Sequence, residues 1–326
     1  MKVNRNIILL LIVLFSALLL PFAKVPLFWL SILIVLFSNI LLSAGFNLFS
    51  GYSGYFNFGF IIFWGLGAYA SAILQQNNVP TLIAAPLAAL AVLGIALFIG
   101  YGSLRIKGVF FAIFMFILIY VCQLIMLVLP FTGGPYGLML PVHLLDPWLR
   151  ETIFYEANLI LVVAIILATK VLSTSKLGIG LACIRLDEVK AETLGIATPR
   201  YKTIAFAISA LFLGIGGALY AQYTSYIDPY SMFNLVICFQ AIAATLIGGK
   251  GTIAGPVIGA VILTSMLQGF RYVMGTSFQS LPMIIYSLIL VIIILVSPGG
   301  IITKIKKFIF PKKNSDSVSE TKPEED

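Results

Sequence analysis

Between Val25 and Leu104 the sequence contains no aspartate, glutamate, lysine or arginine. A helix needs only about 20 apolar residues to cross the hydrocarbon core of a bilayer, so several crossings must share this stretch. The rest of the chain keeps the same character: 60% of its 326 residues are hydrophobic and 10% are charged, where soluble domains carry about a quarter charged residues. These proportions predict an all-α, polytopic integral membrane protein and exclude a soluble enzyme.

Apolar runs read against turn signals place candidate spans near residues 7–23, 27–48, 57–74, 80–100, 108–129, 158–172, 203–223, 233–248, 252–270 and 281–297. This gives about ten transmembrane or half-membrane helices. No small-x-small cleavage pattern follows the first run, which reads as a retained span rather than a signal peptide. The run 233–248 is short, and Gly248-Gly249-Lys250-Gly251 divides it from the next, so this pair has the form of a deeply dipping hairpin. Gly51-Tyr52-Ser53-Gly54 makes a similar break, and the two broken hairpins, 27–74 and 233–270, hint at a unit duplicated in parallel.

With the N-terminus inside, every one of the 20 lysines and arginines except Lys24, Arg150 and Arg271 falls on the cytoplasmic side. Cationic loops resist translocation, so both termini and the polar stretch 173–202 are expected in the cytoplasm. The net charge of +8 then needs no nucleic-acid partner. The expected domain organisation is a membrane domain over 1–310, with 173–202 as its cytoplasmic loop, and a disordered cytoplasmic tail over 311–326. The largest outer loop, 130–157, holds the single histidine, His143, which has no second metal-ligand type at useful spacing.

Charges inside spans usually mark ion pathways or proton relays, and these spans hold almost none. A proton-driven carrier is therefore disfavoured, although a sodium site built from carbonyls and hydroxyls stays open. No catalytic, cofactor-binding or metal-ligating constellation stands out; Cys122, Cys183 and Cys238 are scattered, and no phosphate-binding G-x4-G-K-[ST] loop is present. Small residues recur at helix-packing spacing, Ala210, Gly214 and Ala218 on one face and Gly251, Gly255 and Gly259 on another. Neutral polar groups near the glycine breaks, Asn47, Ser53, Tyr55, Asn57, Gln240 and Thr245, are the candidates to line a solute path or to bridge helices.

The stretch 173–202 interrupts the apolar sequence with Lys176, Arg185, Asp187, Glu188, Lys190, Glu192, Arg200 and Lys202. A helix over 181–194 would align Ile184, Ala191 and Leu194 on one stripe and end at Gly195. So short a helix is marginal in water. Two readings stay open: a helix docked on a partner, or a solvated loop of helical character.

Ser175-Lys176-Leu177-Gly178, Ala182-Cys183-Ile184-Arg185-Leu186-Asp187-Glu188, Ala191-Glu192-Thr193-Leu194-Gly195-Ile196, Gly216-Gly217-Ala218-Leu219-Tyr220-Ala221 and the run from Gly248 to Ala260 occur in an order that resembles the permeases of branched-chain amino acid ABC importers, most closely their M-type subunit. Gly51-Tyr52-Ser53-Gly54, Gly65-Leu66-Gly67-Ala68-Tyr69, Gly108-Val109-Phe110-Phe111-Ala112 and Thr132-Gly133-Gly134 extend the likeness, from about Gly45 to Gly300. The resemblance implies a multi-pass permease of the bacterial cytoplasmic membrane that moves branched-chain or other neutral amino acids. Its implied partners are a homologous second permease, two cytoplasmic ATPases that hydrolyse the ATP and an external substrate-binding protein. It also implies that Arg185, Asp187, Glu188, Ala191, Glu192 and Gly195 belong to the coupling helix that docks on an ATPase. The family's Gly-Gln and Gly-His pairs appear here as Gly54-Tyr55 and Gly59-Phe60. These changes leave the solute open, with urea or short amides as an alternative, and a carrier working without an ATPase as the alternative from another class.

Overall fold

The computed structural model describes residues 25–141, 146–274, 284, 287 and 288. The candidate span 7–23, His143, nearly all of the candidate span 281–297 and the tail 311–326 lie outside them. Helix α1 (Leu27–Phe46) runs into a π-helical turn, Asn47–Gly51, and is followed by α2 (Phe60–Gln76), α3 (Thr81–Ser103) and α4 (Val109–Val128). Two short 3-10 turns and strand β1 (Leu138–Met139) lead to α5 (Pro147–Thr174), α6 (Lys176–Leu186) and α7 (Glu188–Thr193). The chain continues through α8 (Thr198–Thr224), β2 (Tyr226–Ile227), α9 (Pro229–Met232), α10 (Leu235–Gly248) and α11 (Gly255–Met274). Seven helical stretches among the described residues are long and apolar enough to cross a membrane, and α2 is a shorter apolar helix beside them. The protein is thus an all-α polytopic membrane protein whose one described sheet is the two-residue antiparallel ladder Leu138↔Ile227 and Met139↔Tyr226.

Two ends of the bundle are defined by contacts between loops distant in sequence. At one, the glycine break after α1 meets both the α6–α7 segment and the break between α10 and α11. At the other, β1 and β2 pair and the Arg150 guanidinium donates to Tyr223 O at 2.7 Å and Ser225 Oγ at 2.9 Å. These last bonds explain why α5 begins at Pro147, well before the expected span 158–172: Arg150 and Glu151 lie on the helix itself, not in an outer loop. Helix α10 has 14 residues, a rise of about 21 Å against the roughly 30 Å hydrocarbon core. The one-turn α9 before it extends the apolar stretch to Pro229–Gly248, long enough to cross, so the short run does not require a half-crossing.

Helix α8 is the centre of the bundle and packs against α1, α2, α3 and α5. The face that carries Ala210, Gly214 and Ala218 is buried there. A Cβ on Gly67 would meet Gly214 O at 2.2 Å, and one on Gly217 would meet Trp64 O at 1.9 Å. Lipid offers no hydrophobic drive between helices, so such backbone approach supplies the packing. The α10–α11 pair follows the same rule through Gly255 and Gly259, while Gly251 lies in the preceding turn at φ +75°.

Gly217→Ala should therefore lower the thermal stability of the detergent-purified protein by about 1–3 kcal/mol. Gly94→Ala, where a Cβ meets nothing within 4 Å, should leave stability unchanged or raise it by up to about 1 kcal/mol through helix propensity. Equal melting temperatures for the two variants would contradict this packing.

Candidate functional site

The polar stretch folds as two helices rather than the single helix expected over 181–194. Ser175 caps α6, its Oγ accepting from Gly178 N at 3.3 Å. At Asp187 the backbone becomes extended, φ −162°, and its Oδ1 accepts from Lys190 N at 3.1 Å. An aspartate side chain that satisfies a first-turn N–H starts a new helix in preference to continuing the old one. Helix α7 then closes in a Schellman motif: Gly195 N donates to Glu192 O at 3.0 Å and Ile196 N to Ala191 O at 3.1 Å, with Gly195 at φ +82°.

Glu188 anchors α7 to the bundle. Lys202, near the start of α8 and only 1% exposed, donates from Nζ to Glu188 Oε1 at 2.6 Å, to Leu104 O at 2.8 Å and to Tyr55 OH at 3.2 Å. All three ammonium hydrogens are thereby used. The Tyr55 hydroxyl in turn donates to Glu188 Oε2, and the ammonium sits 4.4 Å from the centre of the Tyr55 ring. Thr198 Oγ1 lies 2.8 Å from Glu192 Oε1. Arg185 Nη1 donates to Gly51 O at 3.0 Å, tying α6 to the glycine break.

Burial works to raise the Glu188 pKa, but the hydrogen bonds from Lys202 and Tyr55 and the Lys202 charge outweigh it and hold the carboxyl below its ordinary range. Burial, followed by the Glu188 carboxylate, pushes the Tyr55 phenol well up, so it stays a donor. Within this network Glu188 is thereby favoured as carboxylate and Tyr55 as neutral phenol.

Of the residues read as partner-facing, Glu188 and Ala191 point into the bundle, Arg185 reaches Gly51, Asp187 and Gly195 start and stop α7, and Glu192 meets Thr198. The outward groups are instead Leu186, Val189 and Leu194, 84%, 60% and 77% exposed. Sequence reasoning passed over Leu186 and Val189, set Leu194 on one stripe with Ile184 and Ala191, which are buried instead, and gave Lys202 no role beyond its charge. The available signals were large apolar side chains inside a charged run, and a lysine at the edge of an apolar span.

The path candidates divide sharply. Asn47 bridges the two broken hairpins, its Oδ1 accepting from Gly251 N at 2.7 Å and its Nδ2 donating to Thr252 O at 2.9 Å. Thr245 Oγ1 is 3.0 Å from Ser43 O, and Ser53 Oγ donates to Phe49 O at 2.7 Å. Tyr55 belongs to the Glu188 network. Asn57 is buried beside it in sequence, and its Oδ1 has no hydrogen-bond partner among the described residues. Ser53 and Tyr55 line a space of about 580 Å³ together with Arg185 and Glu188, and Gln240 lines another of about 290 Å³ between α1, α10 and α11.

A family model described as the permease component of branched-chain amino acid transport systems matches residues 28–296. The high-affinity branched-chain amino acid transport system permease protein LivM of Salmonella typhimurium is 26% identical over 291 residues, covering 81% of this chain and 67% of that protein. LivM of Escherichia coli K12 is 25% identical over the same shares. The permease protein LivH of Escherichia coli K12 is 30% identical over 116 residues, 36% of each chain. No solved structure matches the chain.

Removing one partner from a buried ion pair costs about 3–5 kcal/mol, so Lys202→Met should be strongly destabilising in a denaturation assay. A carboxyl whose folded pKa is depressed contributes stability above its unfolded value, about 4.3 for glutamate, and that contribution fades as pH falls through the folded value. Hydrogen exchange of the α7 amides should accelerate across that acid window, and Glu188→Gln should flatten the dependence. Acid-insensitive exchange in the unmodified chain would contradict the anchoring role.

Proposed function

Because the chain belongs to the family of branched-chain amino acid transport system permease components, we propose that it is the membrane subunit of an ATP-driven importer in the bacterial cytoplasmic membrane, carrying branched-chain or other neutral amino acids inward. As a permease component it transports and leaves hydrolysis to a separate subunit. The glycine-break end, with α6 and α7, faces the cytoplasm, and both termini lie on that side, in keeping with the distribution of basic residues. A homologous second permease pairs with it, as the similarity to both LivM and LivH suggests. Two ATPases bind from the cytoplasm, and an external binding protein delivers the solute.

The observation that carries this reading is the construction of α7. Its inner face is fixed by Glu188 and Ala191, while Leu186 at the end of α6, Val189 on α7 and Leu194 just after it are exposed. Three large apolar side chains around a short, firmly anchored helix suit insertion into a groove on another protein. Displacement of α7 by nucleotide-driven closure of the ATPases then moves the Tyr55 loop and α8 with it, because the Glu188–Lys202–Tyr55 contacts join them. This is rigid-body switching of a packed unit. Tyr55, standing where the family has glutamine, supplies one of those contacts.

Leu186→Asp and Leu194→Asp should each leave the permease pair intact and reduce ATPase retained on co-purification, and solute uptake with it, by about tenfold or more, the scale of a lost interface anchor. Full ATPase retention with both aspartates present would remove this assignment.

A further inference from the structure

The cavity beside Gln240 contains an unusual combination for a chain so poor in membrane charge. Along α11, Thr264, Gln268 and Arg271 recur at helical spacing and all face it. Asn39 of α1 and Gln240 of α10 complete the polar wall, and Asn39 Nδ2 donates to Thr264 Oγ1 at 3.1 Å. The side chains of Gln240, Gln268 and Arg271 form no hydrogen bond or ion pair with any described residue. No carboxylate among the described residues lines the space. The same space is lined by Leu42, Ile61 and Ile237, with Trp64 and Tyr220, whose rings are 5.7 Å apart.

Arg271 lines this space while itself exposed, and an arginine on a membrane-spanning helix is rare and usually functional. Free amides nearby offer both donors and acceptors. At about 290 Å³ the space is near the lower end of the range for small-molecule sites, roughly 300–1,000 Å³. A few polar groups in an otherwise apolar lining are the composition expected of such a site.

We propose that this cavity is the solute subsite on the permease: Arg271 receives the carboxylate of an α-amino acid, the amide oxygens of Asn39 and Gln240 receive its ammonium, and the aliphatic side chain lies against Leu42, Ile61 and Ile237. The inference rests on the importer reading above and adds the place and polarity of binding. Arg271 lies near the end of α11 opposite the glycine breaks, on the side from which a delivered solute enters. The deeper pair Asn39 and Thr264 lies further along the same wall.

The test uses the complete importer in proteoliposomes with saturating leucine-loaded binding protein, measuring radiolabelled leucine uptake and ATP hydrolysis together. A bidentate guanidinium–carboxylate contact is strong and geometrically specific. Arg271→Gln should lower uptake by about tenfold, whereas Arg271→Lys, which keeps the charge, should lose only about threefold. ATP hydrolysis by both variants should continue, which reports an assembled complex. Gln240→Leu, which removes the ammonium acceptor and leaves Arg271 in place, should reduce uptake by several-fold. Unchanged uptake in the Arg271 variants, or equal loss of uptake and hydrolysis in both, overturns the subsite while leaving the importer reading intact. Failure of the unsubstituted importer to accumulate any neutral amino acid overturns both.

Discussion

A lysine ammonium with 1% exposure cannot remain charged inside a protein unless its partners replace water. Lys202 finds them in three segments: the Glu188 carboxylate on α7, the Leu104 carbonyl at the end of α3 and the Tyr55 hydroxyl after the first glycine break. None of these segments is adjacent to another in sequence, and α7, at six residues, is too short to be stable alone. The ion pair therefore decides where α7 sits. Its orientation leaves Leu186, Val189 and Leu194 outside and Ala191 inside, and the proposed transmission from ATPase to membrane depends on that orientation.

The remainder of the bundle follows another rule, in which neutral polar side chains bond to backbone groups. Asn47 occupies both ends of its amide across the two glycine breaks, and Thr245 and Ser53 bond to backbone carbonyls. Glycines at the α2–α8 and α10–α11 contacts let backbones meet. Single buried polar atoms of Asn57, Tyr69, Ser103, Trp148 and Gln222 have no partner among the described residues; the amides of Gln240 and Gln268 and the guanidinium of Arg271 differ from these in lining one common cavity between α1, α10 and α11.

Much of the architecture was legible because a bilayer restricts the solutions: apolar length gives helices, and eight of the expected spans, from 27–48 to 252–270, coincide with described apolar helices. The α5 start was missed because Arg150 and Glu151 read as loop residues, yet helix–helix contacts at the bundle end satisfy them. The single helix over 181–194 was wrong at Asp187 because periodicity carries no information about a side chain that caps. At Glu188 the sequence carries no sign of direction, and only the three-dimensional placement of Lys202, 14 residues later, shows its carboxylate turned inward. Conversely, Asn47 and Thr245 were recognised as polar groups that either bridge helices or line a path, and spacing has no means of separating those roles.

Lys202 ties α7, the Tyr55 loop and the α3–α4 corner into one unit. Spin labels at Lys190→Cys and Lys107→Cys, in a complete importer whose native cysteines are replaced, report the separation of α7 from that corner through the nucleotide cycle. One unit requires the same distance distribution without nucleotide and with ATP bound, while the distance from Lys190→Cys to the second permease changes. A shift of several ångströms between the two labels on ATP binding, at the scale of known interface helix movements, would mean that α7 moves independently and that the buried ion pair does not carry the coupling.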